Sequence, residues 1–181
     1  MVEYDYRFLV IDAKAFLVSN NKESYFIFTQ DTATSYDQQT AKEFKGINPY
    51  YIHNYDNTAE IGYQISHMIR KPNGLPELVR DNFDVLSWTL LSEKKKILGY
   101  DCTRAKTTFR GRNYKVWFTT DIATNAFPWK LKGLPALILE FEDETGQVKG
   151  YAKSVAINKE QIFPETINSF FNQHKKRGNF L

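Results

Sequence analysis

The sequence predicts a mostly β fold of the α+β class, namely a single curved antiparallel sheet or half-barrel of about ten strands with a packed C-terminal helix. Apolar and polar residues alternate along most of the chain, which is the two-residue period of a half-buried strand. Short clusters of Gly, Pro, Asn and Asp separate these runs, as turns do. The 181 residues show no composition shift, so we expect a single domain over residues 1–181.

The first half of the chain contains four strand patterns. Residues 2–11 alternate, with Tyr4, Tyr6 and Phe8 on one face. Residues 24–29 are aromatic on both faces, which predicts a central strand. The polar stretch 30–45 predicts a loop, and residues 48–56 and 60–70 predict a hairpin.

The second half continues the pattern and ends in a helix. Residues 85–91 predict a strand that carries Trp88, and residues 94–110 predict one long strand whose apolar parity changes, which indicates a bulge near residues 102–104. Further strands are expected at residues 113–121, 136–142 and 149–158. Pro164 suits the first turn of a helix, and basic residues precede Gly178 at its end.

Composition excludes several classes of protein. With 24 Lys and Arg against 21 Asp and Glu, the net charge of +3 selects neither nucleic acid nor a membrane surface. The single cysteine excludes an internal disulfide and a four-thiolate zinc site. No run approaches the ~20 apolar residues of a membrane-spanning helix, so we expect no spanning segment.

A set of separated motifs carries a family resemblance. In chain order they are Gly99-Tyr100-x-Cys102, then Tyr114, Trp117 and Asp121-Ile122, then Pro128-Trp129 and Gly133-Leu134-Pro135-Ala136-Leu137-Ile138. This order resembles the GLPGLI family of Bacteroidetes, which has no established activity. The resemblance implies a periplasmic or secreted protein whose signal peptide has been removed. Ala136 replaces the second motif glycine, so we expect no positive φ there.

The tryptophans suggest the leading functional hypothesis, a non-catalytic protein that binds a hydrophobic ligand, lipid or peptide. We expect an aromatic cleft beside the loop that contains Trp129. Its candidate ligand-binding residues are Phe127, Trp129, Trp117, Trp88 and Tyr100. The Gly133 to Ile138 motif itself is expected to be structural, with Pro135 opening a strand.

Two alternatives remain open. The first is an accessory module that docks an outer-membrane or secreted protein through a basic hairpin carrying Arg104, Arg110, Arg112 and Lys115. The second is a cysteine-dependent enzyme, for which Cys102, His67 and Asp121 are the available reagents.

Cofactor chemistry has no sequence support. Nucleotide, hydrolase and metalloprotease motifs are absent from the sequence, so we expect no cofactor. His53 and His67 would lie too far apart on the predicted hairpin to share one ion, so no metal site is expected. Aromatic residues do not interleave with the basic hairpin, so nucleic acid is not an expected partner.

Overall fold

A computed structural model describes residues 1–20, 22–29, 49–56, 61–70, 76–81 and 83–157. Within them, eleven strands form one open antiparallel sheet in the order β6-β5-β4-β3-β2-β1-β11-β10-β9-β8-β7. The strands are β1 Val2–Phe8, β2 Ile11–Ser19, β3 Glu23–Thr29, β4 Pro49–Asp56, β5 Ile61–Arg70, β6 Pro76–Asp81, β7 Thr89–Ile97, β8 Tyr100–Phe109, β9 Arg112–Thr119, β10 Leu137–Asp143 and β11 Val148–Val155.

The predicted antiparallel sheet is therefore confirmed. The predicted helix after Pro164 and the predicted loop at residues 30–45 lie outside the described residues. Within the described ranges, no helix has the length and hydropathy needed to cross a bilayer.

Strand β3 has the burial expected of a central strand. Phe26 and Phe28 are buried on the core side, while Tyr25 and Ile27 are buried on the opposite face. The aromatic residues on both sides of this segment therefore mark a strand that is covered on both faces, as its sequence predicts.

Two tight turns correct the predicted strand boundaries. The strand at residues 2–11 ends at Phe8, and a turn at Leu9 and Val10 leads into β2. The single long strand predicted at residues 94–110 is also wrong, because Leu98 (φ 51°) and Gly99 (φ 87°) reverse the chain between β7 and β8. Positive φ at both central residues is the geometry of a two-residue hairpin turn, and a leucine there gives no sequence signal.

The parity change near Cys102 is real, although its cause lies on the neighbouring strand. Cys102 and Ala105 are both buried, three positions apart along β8. The register shift falls opposite them in β7, between Leu90 and Lys94. Extra residues on β7 interrupt the β7–β8 ladder here, so the regular alternation is locally lost.

The strand predicted at residues 85–91 begins four residues later, at Thr89. Residues 83–88 form no strand and instead belong to the connection between β6 and β7. The sequence of residues 83–88 mixes apolar and polar residues and contains no turn signal, so it resembles a strand. These residues nevertheless lie outside the sheet, because the connection runs from one edge strand, β6, to the other, β7.

This connection requires the sheet to curl. β6 and β7 are opposite edges, yet the chain passes between them from Asp81 to Thr89. About eight residue steps reach at most ~29 Å, whereas eleven flat strands would span ~48 Å. Arg110 Nη2, after β8, lies 3.3 Å from Asp81 Oδ1 at the end of β6, which joins the two sides of the curled sheet.

The concave face of the curled sheet is filled mainly by aromatic side chains. Tyr4 lies edge-on to Phe141 with ring centroids 5.8 Å apart, and Tyr6 is tilted against Phe28 at 4.9 Å. The buried Tyr4 hydroxyl donates a hydrogen bond to the Ile138 carbonyl at 2.7 Å. This network places β1 in contact with β10.

The middle of the sheet joins the two ends of the described chain. β1 pairs with β11, with Tyr4 opposite Ala152 and Tyr6 opposite Gly150. The Met1 ammonium donates to the Ala156 carbonyl at 2.7 Å, and the Ala156 amide donates back to the Met1 carbonyl at 2.8 Å. Gly150 leaves space for Phe141, because a Cβ at position 150 would lie 2.5 Å from that ring.

We expect Gly150→Ala to lower the free energy of unfolding by about 1 to 3 kcal/mol, because the Phe141 ring has to move within a packed core. Adding Phe141→Leu should recover part of this loss, so that the double variant is less destabilised than the sum of the two single variants. Urea denaturation of the four proteins measures the coupling, and strictly additive effects would contradict the predicted contact.

Candidate functional site

Two crossing segments, residues 83–88 and 122–136, cover the concave side of the sheet. The second starts after β9 and returns to β10, but it reaches as far as β4 and β6. The Lys132 carbonyl joins the crossing segments, because it accepts hydrogen bonds from the Leu86 amide and from Trp88 Nε1, both at 3.1 Å.

An aromatic cluster anchors the longer crossing segment to β4. The Phe127 ring is stacked on His53 at 5.5 Å and lies edge-on to Tyr55 at 5.2 Å. Phe83 of the shorter segment completes the cluster, 5.6 Å from Phe127. Phe127 is only 2% exposed, so it acts as a packing anchor and offers almost no surface to a ligand.

His53 is enclosed in this cluster. It is fully buried, and burial, followed by the nearby positive charge of Lys130, holds its pKa well below the ordinary value of 6.5. The imidazole is therefore neutral at physiological pH. It lies opposite Gln64 of β5.

A buried ion pair makes a second anchor. Lys130 Nζ donates to Asp81 Oδ2, and both side chains are largely buried. Burial lowers the pKa of Lys130, while the Asp81 carboxylate acts in the opposite direction. Because Asp81 also pairs with Arg110, one carboxylate ties the longer crossing segment to the β8–β9 turn. No motif or period in the sequence indicated this pair.

Trp129 adopts a backbone conformation that is unusual for a large side chain, with φ 54°. Its ring packs on the Phe8 ring, with the ring centroids 4.8 Å apart. The surrounding contacts therefore hold Trp129 against the concave face and offset its local strain.

Gly133 has a structural explanation. Its φ is +120°, and a Cβ there would lie 2.8 Å from the Leu86 carbonyl oxygen. The residue is glycine because the shorter crossing segment packs directly on its backbone. Ala136 is buried and has no positive φ, as the sequence predicted. Leu137 and Ile138 enter β10 as buried residues, and Leu134 is half-buried.

The five aromatic candidates do not line one cleft. Trp117 faces the opposite side of the sheet, where Lys95 Nζ lies 4.6 Å from its ring and the Arg104 guanidinium 5.5 Å. Tyr100 lies at the start of β8, next to the turn at Gly99. Its backbone carbonyl accepts a hydrogen bond from the Cys102 thiol at 3.6 Å. Trp88 belongs to the shorter crossing segment and Trp129 to the longer one, and both side chains are half-buried.

Three adjoining concavities follow the crossing segments and form what we term the strap groove. The first, about 660 Å³, lies near Met1, Ile122 and Ile157. It shares Asn125 and Pro135 with the second, about 320 Å³, which is also lined by Tyr55, Lys132, Gly133 and Leu134. Val85 joins the second to the third, about 590 Å³, beside β8 and β9.

The charges of the basic hairpin are largely neutralised by carboxylates on β6, β7 and β10. Arg104 pairs with Glu93 at 3.2 Å, and Arg112 pairs with the buried Asp143 at 2.5 Å. Arg110 is held by Asp81. Lys115 forms no ion pair with any residue that the structure describes.

The proposed reagents of the enzyme alternative do not form a site in the described residues. Cys102 is 1% exposed, and burial raises the pKa of its thiol, which disfavours the thiolate nucleophile. Asp121 is exposed after β9, and the side chain of His67 lies outside the described part. No group of three or more metal-binding side chains occurs among the described residues.

These features define a class of protein: a domain built on one curled antiparallel sheet, whose concave side is closed by two crossing segments. Residues 13–176 match a family model described as the N-glycanase peptide, N-terminal domain. The chain therefore belongs to this N-terminal-domain family.

Solved structures share the fold. One, described as PNGF-II in the C2 space group, is 17% identical with a TM-score of 0.62 over 92% of this chain and 29% of that chain. PNGF-II in the P21 space group is also 17% identical, with a TM-score of 0.56 over 88% of this chain and 29% of that chain. The chain thus spans about three-tenths of the solved proteins it matches. No curated protein matches it.

We expect Gly133→Ala to lower the free energy of unfolding by about 2 to 3 kcal/mol, because the new methyl group collides with the Leu86 backbone at an unfavourable φ. Gly111→Ala is the matched control, since Gly111 also has a positive φ but has open space around its Cβ position. The control should cost about 1 kcal/mol. Equal losses in thermal or urea denaturation would contradict the close contact at Gly133.

We expect stability to fall on acidification through the titration of His53. The unfolded chain gains a proton below pH ~6.5, whereas the buried imidazole does not, so the folded state loses about 1.4 kcal/mol between pH 7.5 and 5.5. His53→Phe keeps an aromatic ring in the cluster and should remove this part of the pH dependence. Urea midpoints of both proteins at the two pH values measure the difference, and parallel pH profiles would contradict the assignment.

Proposed function

We propose that the chain is a non-catalytic accessory domain that holds an extended polypeptide segment in the strap groove. The observation that carries the proposal is the continuity of three concavities along the crossing segments, through the shared residues Asn125, Pro135 and Val85. Each has the volume of a small-molecule site, and together they suit an extended polymer better than one compact ligand.

The lining of the groove favours a polypeptide over a lipid. Aliphatic side chains such as Ile122, Leu137 and Val155 line the first concavity together with the polar residues Thr124 and Asn125. A peptide presents the same mixture of apolar side chains and hydrogen-bonding groups. The aromatic rings that would suit an acyl chain are mostly packed in the core or under the crossing segments.

The names of the similar proteins suggest which polypeptide is held. The family is described as an N-terminal domain of N-glycanase, so we infer that the groove receives the peptide part of an N-glycosylated protein. In this proposal the chain presents that peptide to a glycan-cleaving activity outside its own residues. We further propose that it is a secreted or periplasmic protein of the GLPGLI type, as its motifs suggest.

The groove junction gives a direct test. Val85 is 67% exposed where the second and third concavities meet, so Val85→Arg should obstruct the groove without disturbing the core. We expect this variant to bind labelled peptides from a denatured N-glycosylated protein roughly fivefold more weakly than the unchanged chain. Fluorescence anisotropy measures the dissociation constants.

Val10→Arg is the matched control, because Val10 is 93% exposed in the turn between β1 and β2 and lines none of the three concavities. It should bind like the unchanged chain. Equal binding by both variants would contradict the groove, and saturable binding of acyl-chain ligands in place of peptides would favour the lipid hypothesis.

A further inference from the structure

We propose that the second concavity of the strap groove binds the carboxylate of an Asp or Glu side chain, so that the polypeptide held there carries an acidic residue at this point. This inference rests on the proposed function and specifies the chemistry of its partner. It comes from the ammonium group of Lys132, which lines this concavity and forms no ion pair with any residue that the structure describes.

Lys132 is held in place through both its backbone and its side chain. Its carbonyl accepts hydrogen bonds from the Leu86 amide and from Trp88 Nε1. Its Nζ lies 4.3 Å from the centroid of the Tyr55 ring and donates a hydrogen bond to the Tyr55 hydroxyl. Tyr55 is only 2% exposed and packs edge-on to Phe127. The ammonium group therefore has a defined position, whereas a lysine on an open surface loses side-chain entropy when it binds a ligand.

The contact with Tyr55 leaves the charge of Lys132 without a counter-ion. A phenolic hydroxyl accepts a hydrogen bond but supplies no negative charge, and this bond uses one of the three N–H donors of the ammonium group. Lys130, two residues earlier in the same crossing segment, differs because it is buried and paired with Asp81. Lys130 therefore stabilises the fold, while Lys132 keeps two donors for a ligand.

The carboxylates of the neighbouring segments do not line the second concavity. Asp81 already has two cationic partners, Lys130 and Arg110. Asp84 is exposed, but it is not one of the residues around this concavity. Among the described residues that line it, none is acidic and Lys132 is basic. An anion that enters the concavity therefore meets a cation without a competing carboxylate.

The remaining lining suits a carboxylate that belongs to a peptide. Val85, Leu134 and Pro135 are apolar, and surroundings of low polarity strengthen the attraction between opposite charges. Asn125 lies where the first and second concavities meet, and its exposed side chain makes no hydrogen bond within the described part of the chain. Its amide can donate to one carboxylate oxygen while Lys132 donates to the other.

The position of the second concavity favours a side-chain carboxylate over the end of a chain. It shares Asn125 and Pro135 with the first concavity and Val85 with the third, so it lies between them. A polypeptide that follows the groove passes through this middle position, and its terminal carboxylate lies elsewhere. We therefore assign the anion to Asp or Glu side chains of the polypeptide.

The test uses three peptides, (Glu-Ala)5, (Gln-Ala)5 and (Lys-Ala)5, each labelled at the N-terminus and amidated at the C-terminus, with the full chain at low ionic strength. We expect the acidic peptide to bind roughly three- to fivefold more tightly than the neutral one, with the basic peptide weakest and the preference reduced by added salt. Fluorescence anisotropy measures the dissociation constants.

Substitutions of Lys132 test its charge separately from its packing. Lys132→Met keeps an unbranched apolar side chain over the Tyr55 ring but removes the charge, so it should abolish the preference for the acidic peptide. Lys132→Gln is a second neutral variant with the same expected result. Lys132→Arg keeps the positive charge and should retain the preference. Urea denaturation identifies the variants that fold.

Lys149→Met is the matched control. Like Lys132, Lys149 is half-buried, lies beside a tyrosine ring (Nζ is 6.0 Å from the Tyr151 centroid) and forms no ion pair with a described residue. It belongs to β11 and lines none of the three concavities. This control should keep the preference for the acidic peptide.

The outcomes separate the two proposals. If acidic and neutral peptides bind equally and Val85→Arg weakens both, the carboxylate assignment is wrong and the peptide groove stands. If the neutral variants of Lys132 keep the preference, the assignment to this concavity is wrong. If no peptide binds, both proposals are wrong. If a free C-terminal carboxylate strengthens binding and acidic side chains do not, the concavity takes a chain end and the side-chain assignment is overturned.

Discussion

The short passage from Asp81 to Thr89 is the constraint on which the rest of the structure depends. It joins the two edges of an eleven-stranded sheet, so the sheet has to curl until those edges approach each other. The curl creates a concave face, and the aromatic side chains of β1, β3 and β10 fill it. The same passage supplies the shorter crossing segment, against which the Gly133 backbone is packed.

Polar contacts then determine how the longer crossing segment lies. Lys130 and Asp81 form a buried pair, and truncating one partner of such a pair leaves an uncompensated charge at a cost of several kcal/mol. The Lys132 carbonyl joins both crossing segments through two hydrogen bonds. The strap groove is thus bordered by segments that are anchored at several points. Because these segments are already held in place, a bound peptide would lose little free energy to ordering them.

The sequence was sufficient for the class of fold, because alternation is a local property of each strand. It predicted the central position of β3 and the parity change near Cys102. It did not predict the turn at Leu98 and Gly99, because a leucine at the first central position, with positive φ, hides the signal of the glycine that follows it. It also assigned residues 85–88 to a strand, which is wrong. These residues have to connect the two edges of the sheet, and that requirement follows from the topology, which the local sequence pattern does not contain.

The candidate site was less predictable for the same reason. Phe127 and Trp129 were predicted as ligand-binding residues, whereas the contacts that bury Phe127 and hold Trp129 come from β4, the shorter crossing segment and β1. Nothing in the sequence marked Val85, because its role depends on the two concavities that it lines, and these exist only in the folded chain.

The pairing of β1 with β11 has a consequence for how the chain acquires its structure. Each half of the sheet consists of strands that follow one another in sequence, but the two halves meet at this central ladder, between residues at least 140 positions apart. Such distant pairing is slow, because a long loop must close before any contact forms. On the ribosome, β1 would remain an unpaired edge until β11 has been synthesised, and this open edge is where a chaperone would be most useful.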